Sequence, residues 1–396
     1  MLTNHQSKNS VRICAAVSTT QLLPLIHILR HQPKADCQDV LLWDTYFMGA
    51  AAEEGAKLMQ AVAESYPFAA IYRLENFKIP THRTAGVIGW PFQFWLRHRH
   101  DSQKLKKLLL AHLKDSPKVE IWTDEPIHFP MMFLHGMFPT ATHVKIPHAF
   151  DLELSANKFD RAARLEQRKL LTTIPRRILW KINKLISGIS YDTETGLIFD
   201  RAYTFNRPSS WSDSSVDMSQ TITLENMKEI YSSLSQYLRS EIEAKIQSVS
   251  SPQKKPWILL LLFPISSLEN KEVYRNAINR IFQEKSELFS GHQLVIKPHP
   301  IGSTKLPLEL VEELSRDLPI EVSFFNCRLN LDILWHLIPA DIVLAGPCGA
   351  LPIVSRLGVA RSLVINEILE DNFNFFSEES VEFKQFKEMM EGLDVV

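Results

Sequence analysis

The sequence has few cysteines, no long apolar run and almost no net charge, and each shortage excludes a class of protein. Only four of 396 residues are cysteine (Cys14, Cys37, Cys327, Cys348), and none form a C-x-x-C pair or stand at metal-ligand spacing. Neither a disulfide framework nor a metal site is expected, and a reducing compartment fits best. The longest apolar stretch runs from Trp257 to Ile265, which suits a buried strand and falls far short of the roughly 20 residues of a membrane helix. Met1 to Ser10 is polar and carries no apolar leader core, so no secretory signal is expected. A cytoplasmic protein is the reading. Neither G-x-G-x-x-G nor a Walker pattern occurs, which removes the dinucleotide and P-loop fingerprints. With a formal net charge of −1, no global field draws the chain to nucleic acid.

What is present is a full apolar complement, 45% of residues against 22% charged, in a chain long enough for two domains of roughly 150–200 residues. Val11 to Val17 is a β-branched run, followed by the hydroxyl cluster Ser18-Thr19-Thr20 with Gln21, then by the helical period of Leu22 to Leu29. That order predicts strand, loop, helix. It recurs with strands at Val40–Trp43, Ala69–Tyr72, Val119–Trp122 and Val144–Ile146, and helices at Ala50–Glu64 and Gln93–Leu113. Asp160 to Ser187 predicts helices broken at Pro175, Ile198–Thr204 a strand, Ser209–Ser219 a polar loop, and Thr223–Ile246 one helix. After the polar linker Ser248–Lys255 the alternation restarts. Strands fall at Trp257–Phe263, Gln293–Lys297, Ile320–Phe324, Ile342–Ala345 and Ser362–Ile365, and helices at Glu269–Phe289, Leu308–Leu318, Leu329–Leu337 and Ala350–Leu357. The fold class is α/β, with two Rossmann-like domains facing each other across a cleft. Residues 1–250 form the first domain with a helical insertion, 251–365 the second, and 366–396 a helical tail.

Lys297-Pro298-His299-Pro300 follows a strand at its carboxyl end, where open α/β sheets bind ligands. Two prolines stiffen the turn and hold the imidazole outward. A fixed His beside a Lys suits a departing phosphate, whose developing charge both can neutralise. A surface His in a proline turn is the plainer alternative. Gly346-Pro347-Cys348-Gly349-Ala350 joins a strand to a helix, where backbone amides can approach a phosphate. Pro264-Ile265-Ser266-Ser267 stands at the corresponding place after the first strand of the second half, Trp257–Phe263; its hydroxyls reach a phosphate or ribose or simply cap a helix. Asp124-Glu125 follows Val119–Trp122, where paired acids supply a general base or merely a solvated turn. Pro147-His148 repeats the strand–Pro–His arrangement. Between Arg161 and Lys184 basic residues interleave with Leu179, Trp180 and Ile182, as on a helix that meets an anionic membrane or packs on its own domain.

Lys297-Pro298-His299-Pro300 resembles the His-Pro motif of bacterial sialyltransferases of the two-Rossmann GT-B fold, the lipooligosaccharide sialyltransferases and α-2,8-polysialyltransferases. Ala16 to Leu22 is similar to their strand–loop–Gln start. Asp124-Glu125 falls where they carry two acids before a glycine, and Gly346–Leu351 where they carry a glycine and paired hydroxyls. The resemblance implies an inverting glycosyltransferase that moves sialic acid, or a related acidic sugar, from a CMP-activated donor to a cell-surface glycan precursor. It implies that Asp124 or Glu125 deprotonates the acceptor and that His299 protonates or stabilises the departing CMP, with Lys297 and Pro300 beside it. Ser266, Ser267, Gly346, Cys348, Gly349 and Ala350 would line the nucleotide site. No metal is implied, since a CMP-sugar has a single phosphate. Pro126 stands in place of the glycine after the acids, and Cys348-Gly349 in place of the hydroxyls. CMP-Kdo or CDP-glycerol as donor, and an inactive nucleotide-sugar or glycan-binding protein, are the alternatives. The partners expected are the donor and acceptor, an anionic inner-membrane surface through residues 161–184, and no nucleic acid; a homodimer is left open.

Overall fold

A computed structural model describes residues 10–34, 36–44, 52–74, 103–113, 118–123, 200–204, 217–221, 223–263, 267–299, 303–327, 334–346, 350–365 and 393–396, with Leu134, Met137, Phe138, 140–146, Ile265, Leu331 and Cys348 between them. The chain divides into two compact units. One takes Met1–Tyr46, Tyr66–His148 and Ser155–Thr221; the other takes Phe47–Ser65, Ala149–Leu154 and Ile222–Val396.

The elements of the first half are β1 (Ser10–Ala16), α1 (Thr19–His31), β2 (Cys37–Trp43), α2 (Ala52–Ala63) and β3 (Ala70–Arg73), α3 over 103–113, then β4 (Lys118–Thr123), β5 (Thr142–Lys145), β6 (Arg201–Thr204) and β7 (Asp217–Thr221). Their seven strands form one sheet in the order β3-β2-β1-β4-β5-β6-β7. All its pairs are parallel. β1 is central, and Val11, Ile13 and Cys14 are fully buried, as a strand covered on both faces requires. β7 lies in what the sequence reads as the end of a polar loop, Ser209–Ser219. Its sequence DMSQT has no apolar run, and the strand occupies an edge, where period and hydrophobicity are least demanded.

The second half is built from α4 (Leu224–Ser233), α5 (Gln236–Val249), β8 (Trp257–Leu261), α6 (Leu268–Glu284), β9 (Gln293–Lys297), α7 (Lys305–Asp317), β10 (Val322–Phe324), β11 (Ala340–Ala345), α8 (Ala350–Leu357), β12 (Arg361–Val364) and β13 (Asp394–Val395). Its parallel sheet has the order β10-β9-β8-β11-β12-β13. That is the doubly wound order, reversing direction between β8 and β11, which makes their carboxyl ends the topological switch point. Ile258, Leu260, Ile296, Leu344 and Leu363 on the strands pack with Ala277, Ile278 and Ile281 of α6 and Leu310 and Leu314 of α7.

One expectation differs in detail, and two fall partly outside the described residues. The helix predicted over Thr223–Ile246 is two, because the chain turns at Leu234 and Ser235 recaps it, its hydroxyl accepting the Leu238 N–H at 3.3 Å. Of the helix predicted over Leu329–Leu337, Leu329, Asn330, Asp332 and Ile333 lie outside the described residues; in the rest the Leu334 N–H donates to the Leu331 carbonyl and the Leu337 N–H to the Leu334 carbonyl. Most of the tail expected to be helical, 366–392, lies outside the described residues; its last residues form β13 beside β12, tied by the Arg361 guanidinium to Asp394 at 2.6 Å. The last stretch of the second unit begins at Ile222, upstream of the linker that the sequence marks.

Candidate functional site

Most of the described candidate residues lie at the carboxyl edge of the second sheet. Register sets Lys297 of β9, Leu261 of β8, Ala345 of β11 and Val364 of β12 on one level at the carboxyl edge. The Leu262 N–H donates to the Lys297 carbonyl at 3.0 Å, and the Ile365 N–H to the Ala345 carbonyl at 2.8 Å, so the ladder continues one residue past the strands. β9 and β11 both flank β8, which separates the chain leaving Lys297 from the chain leaving Ala345 by about 10 Å, two strand spacings.

Lys297 is 4% exposed, and its ammonium donates to the Pro298 carbonyl at 3.4 Å. His299 follows two residues on and is half-buried. The sequence places a cation and an imidazole at a strand end; the structure adds that the Lys is drawn into the sheet edge and the His is the more open of the two. On β11 Gly346 is buried and Cys348 half-buried. Leu351 closes the turn into α8, its N–H donating to the Cys348 carbonyl at 3.2 Å. The Ser362 hydroxyl donates to the Leu351 carbonyl at 2.9 Å and fastens α8 to β12. Ala350 starts that helix, whose amino end points at the same edge. Ser267 caps α6: its hydroxyl accepts the Asn270 N–H at 3.1 Å and donates to Asn270 Oδ1 at 2.8 Å. Both capacities are used locally. Pro300, Ser266 and Gly349 lie outside the described residues.

One residue the sequence reading missed belongs here. Tyr274 of α6 is buried, and its hydroxyl oxygen accepts the Phe263 N–H at 2.8 Å. A Tyr in the i, i+3, i+4 pattern of an amphipathic helix reads only as core.

In the first sheet the corresponding edge is built by β1 and β4. Val17 leaves β1 with its N–H donated to Gln21 Oε1 at 2.7 Å, and Gln21 is fully buried, so the glutamine of the opening motif stitches the turn. β4 ends at Thr123, also buried, whose carbonyl accepts the Ile146 N–H at 2.9 Å. Asp124, Glu125, Pro126, His148 and the basic segment 161–184 lie outside the described residues.

No family model matches the sequence. No curated protein matches it either. Solved structures do. A sialyltransferase from Photobacterium damselae, residues 113–497 corresponding to its GT-B domain, aligns with 98% of this chain and 99% of its own at 12% identity and a TM-score of 0.50. The S. aureus MnaA–UDP co-structure aligns with 98% of this chain and 92% of its own at 11% identity, TM-score 0.50. The glycotransferase of kitacinnamycin aligns over 98% and 86% at 11% identity and the same TM-score. At these identities the likeness shows the fold: two parallel-sheet α/β domains of Rossmann-like topology, as in GT-B glycosyltransferases and related sugar-nucleotide proteins.

Proposed function

We propose that the protein is an inverting glycosyltransferase that takes an acidic sugar, sialic acid or a relative, from a CMP-activated donor. The observation that carries the reading is the pairing of Lys297-Pro298-His299 with the Gly346–Cys348 turn on either side of β8, at the switch point of a doubly wound sheet. In the direct displacement, the acceptor hydroxyl attacks the anomeric carbon as the bond to the CMP phosphate breaks. Asp124 or Glu125, which follow β4 directly in the chain, takes the hydroxyl proton. His299 donates to the departing phosphate, and the amino end of α8 offers amides and a favourable dipole to its charge. Lys297, held in the sheet edge, adds a fixed positive field. The nucleotide-binding and glycosyltransferase neighbours support the class.

The test is calorimetry with CMP, UMP and GMP, followed by turnover of CMP-sialic acid, CMP-Kdo and CDP-glycerol. Selective CMP binding with release of CMP from the first donor is expected. His299→Ala should keep the fold and lower kcat by about 10²–10⁴-fold, the range of a general acid. Binding without turnover of any donor would identify a nucleotide-sugar-binding protein instead, and near-normal turnover in the His299 variant would remove the role assigned to it.

A further inference from the structure

The loops after β8 and β11 leave the second sheet in opposite directions, one through α6 to β9 and the other through α8 to β12. Right-handed crossovers running opposite ways put those helices on opposite faces, so the two loops part at the point where a ligand would sit. Something must hold them in register, because the ladder stops there. After Leu262 bonds to Lys297, the next amide, Phe263, has left the ladder and donates to the Tyr274 hydroxyl. Tyr274 is 3% exposed and packed in the core cluster with Leu262, Ile265, Ile278 and Ile296. Burial pushes the phenol well above its ordinary pKa, against the opposing pull of the Phe263 amide, and Cys348 adds to the rise. The hydroxyl therefore keeps its proton throughout the working range.

We infer that Tyr274 is the positioning residue of the nucleotide site: its buried hydroxyl holds the Phe263 amide and so fixes the loop that leaves β8 at the switch point. It touches no substrate; it acts through the loop that runs from Phe263 to the Ser267 cap. The ladder does not supply this anchor: the Leu262 N–H donates to the Lys297 carbonyl, and the next amide, Phe263, turns to the Tyr274 hydroxyl. The inference rests on the nucleotide-site reading above and adds a residue to it.

Tyr274→Phe removes the hydroxyl and keeps the ring. CMP binding by calorimetry should weaken about tenfold, the scale of one buried hydrogen bond. In donor turnover the loss should fall on KM, with kcat within about twofold of the parent, since no reacting atom is touched. Ile281→Val, in the same core, is the control; it should lower the melting temperature to a similar degree and leave Kd unchanged. Wild-type affinity in Tyr274→Phe overturns the inference, and so does an equal loss in Ile281→Val, which would reduce the effect to general destabilisation. Should Tyr274→Phe not fold, hydrogen exchange on the wild-type protein decides: CMP should slow exchange at the Phe263 amide, and an unchanged rate overturns the inference. A wild-type protein that binds none of CMP, UMP or GMP fails the nucleotide reading itself, a result separable from all of these.

Discussion

At the residue scale, the amino ends of β1 and β2 hold the most concentrated polar chemistry among the described residues. Arg12, 1% exposed, makes a bidentate pair with Asp39 at 2.5 and 2.7 Å, gives its other nitrogen to the Gln32 carbonyl at 3.0 Å, and lies 5.6 Å from the Trp122 ring centre. The Tyr66 hydroxyl donates to the same carboxylate. This is the amino edge of the sheet, opposite the carboxyl edge at Val17 and Thr123, and the network serves the fold. Arg12→Ala leaves a buried carboxylate whose remaining partner is a neutral phenol, and should lower unfolding free energy by about 3–5 kcal/mol. Replacing both partners together, Arg12→Met with Asp39→Leu, should cost much less in urea unfolding; an equal loss would mean that packing and not charge is at stake. His143 gives a pH prediction. Burial lowers its pKa below the ordinary 6.5, outweighing the hydrogen bond to the Phe138 carbonyl and the field of Asp200. The folded state therefore resists protonation more than the unfolded chain does, so stability present above pH 6.5 is lost as pH falls from there toward the lowered value. Thermal melting followed from pH 7.5 to 5 should show this decline, and His143→Gln should flatten it. An unchanged slope would pass the effect to His112, which burial shifts in the same direction.

At the element scale, the linker that the sequence marks as polar is anchored. Gln293, the first residue of β9, is fully buried; its amide nitrogen donates to the Val249 carbonyl at 3.0 Å, and its amide oxygen accepts the Ser251 N–H at 2.9 Å. One side chain thus ties the end of α5 to the second sheet, which gives a local reason why α5 belongs with the second unit. Gln293→Leu should destabilise by about 1–3 kcal/mol for each of the two groups left unpaired, measured by urea unfolding; a smaller loss would show that water replaces the amide. Most of the strands were legible because their runs are continuous and β-branched or leucine-rich, as at Trp257–Leu261, and because each ends in a turn with glycine, proline or a hydroxyl. β7 was not, since an edge strand of polar residues carries no period. The break at Leu234 was hidden within an unbroken helical pattern, and only the capping capacity of Ser235 hinted at it. Of the site, Lys297, His299, Gly346 and Cys348 could be placed at a strand's carboxyl end from local order alone. Tyr274 could not, because its hydroxyl acts on a residue that only the fold brings near.

At the scale of the whole molecule, the proposed acceptor, a cell-surface glycan precursor, raises the question of where the protein docks. No described helix is long and apolar enough to cross a membrane. The segment 161–184 carries Arg161, Arg164, Arg168, Lys169, Arg176, Arg177, Lys181 and Lys184 against Glu166, a local field that the formal net charge of −1 conceals. Leu179, Trp180 and Ile182 stand among the last of these cations and offer apolar groups for insertion. Attraction to an anionic surface is worth about 1 kcal/mol per basic residue near it and decays within a Debye length. Sedimentation with phosphatidylglycerol vesicles should therefore capture the protein at low salt and release it steeply as salt rises, while neutral phosphatidylcholine vesicles should not capture it. Charge reversal at Arg176, Arg177 and Lys181 should release it at any ionic strength. Binding indifferent to salt and to those substitutions would make the segment a structural part of the first half of the chain. Donor chemistry at Lys297 and His299 would stand in either case, because it is set by the carboxyl edge of the second sheet and not by where the protein is docked.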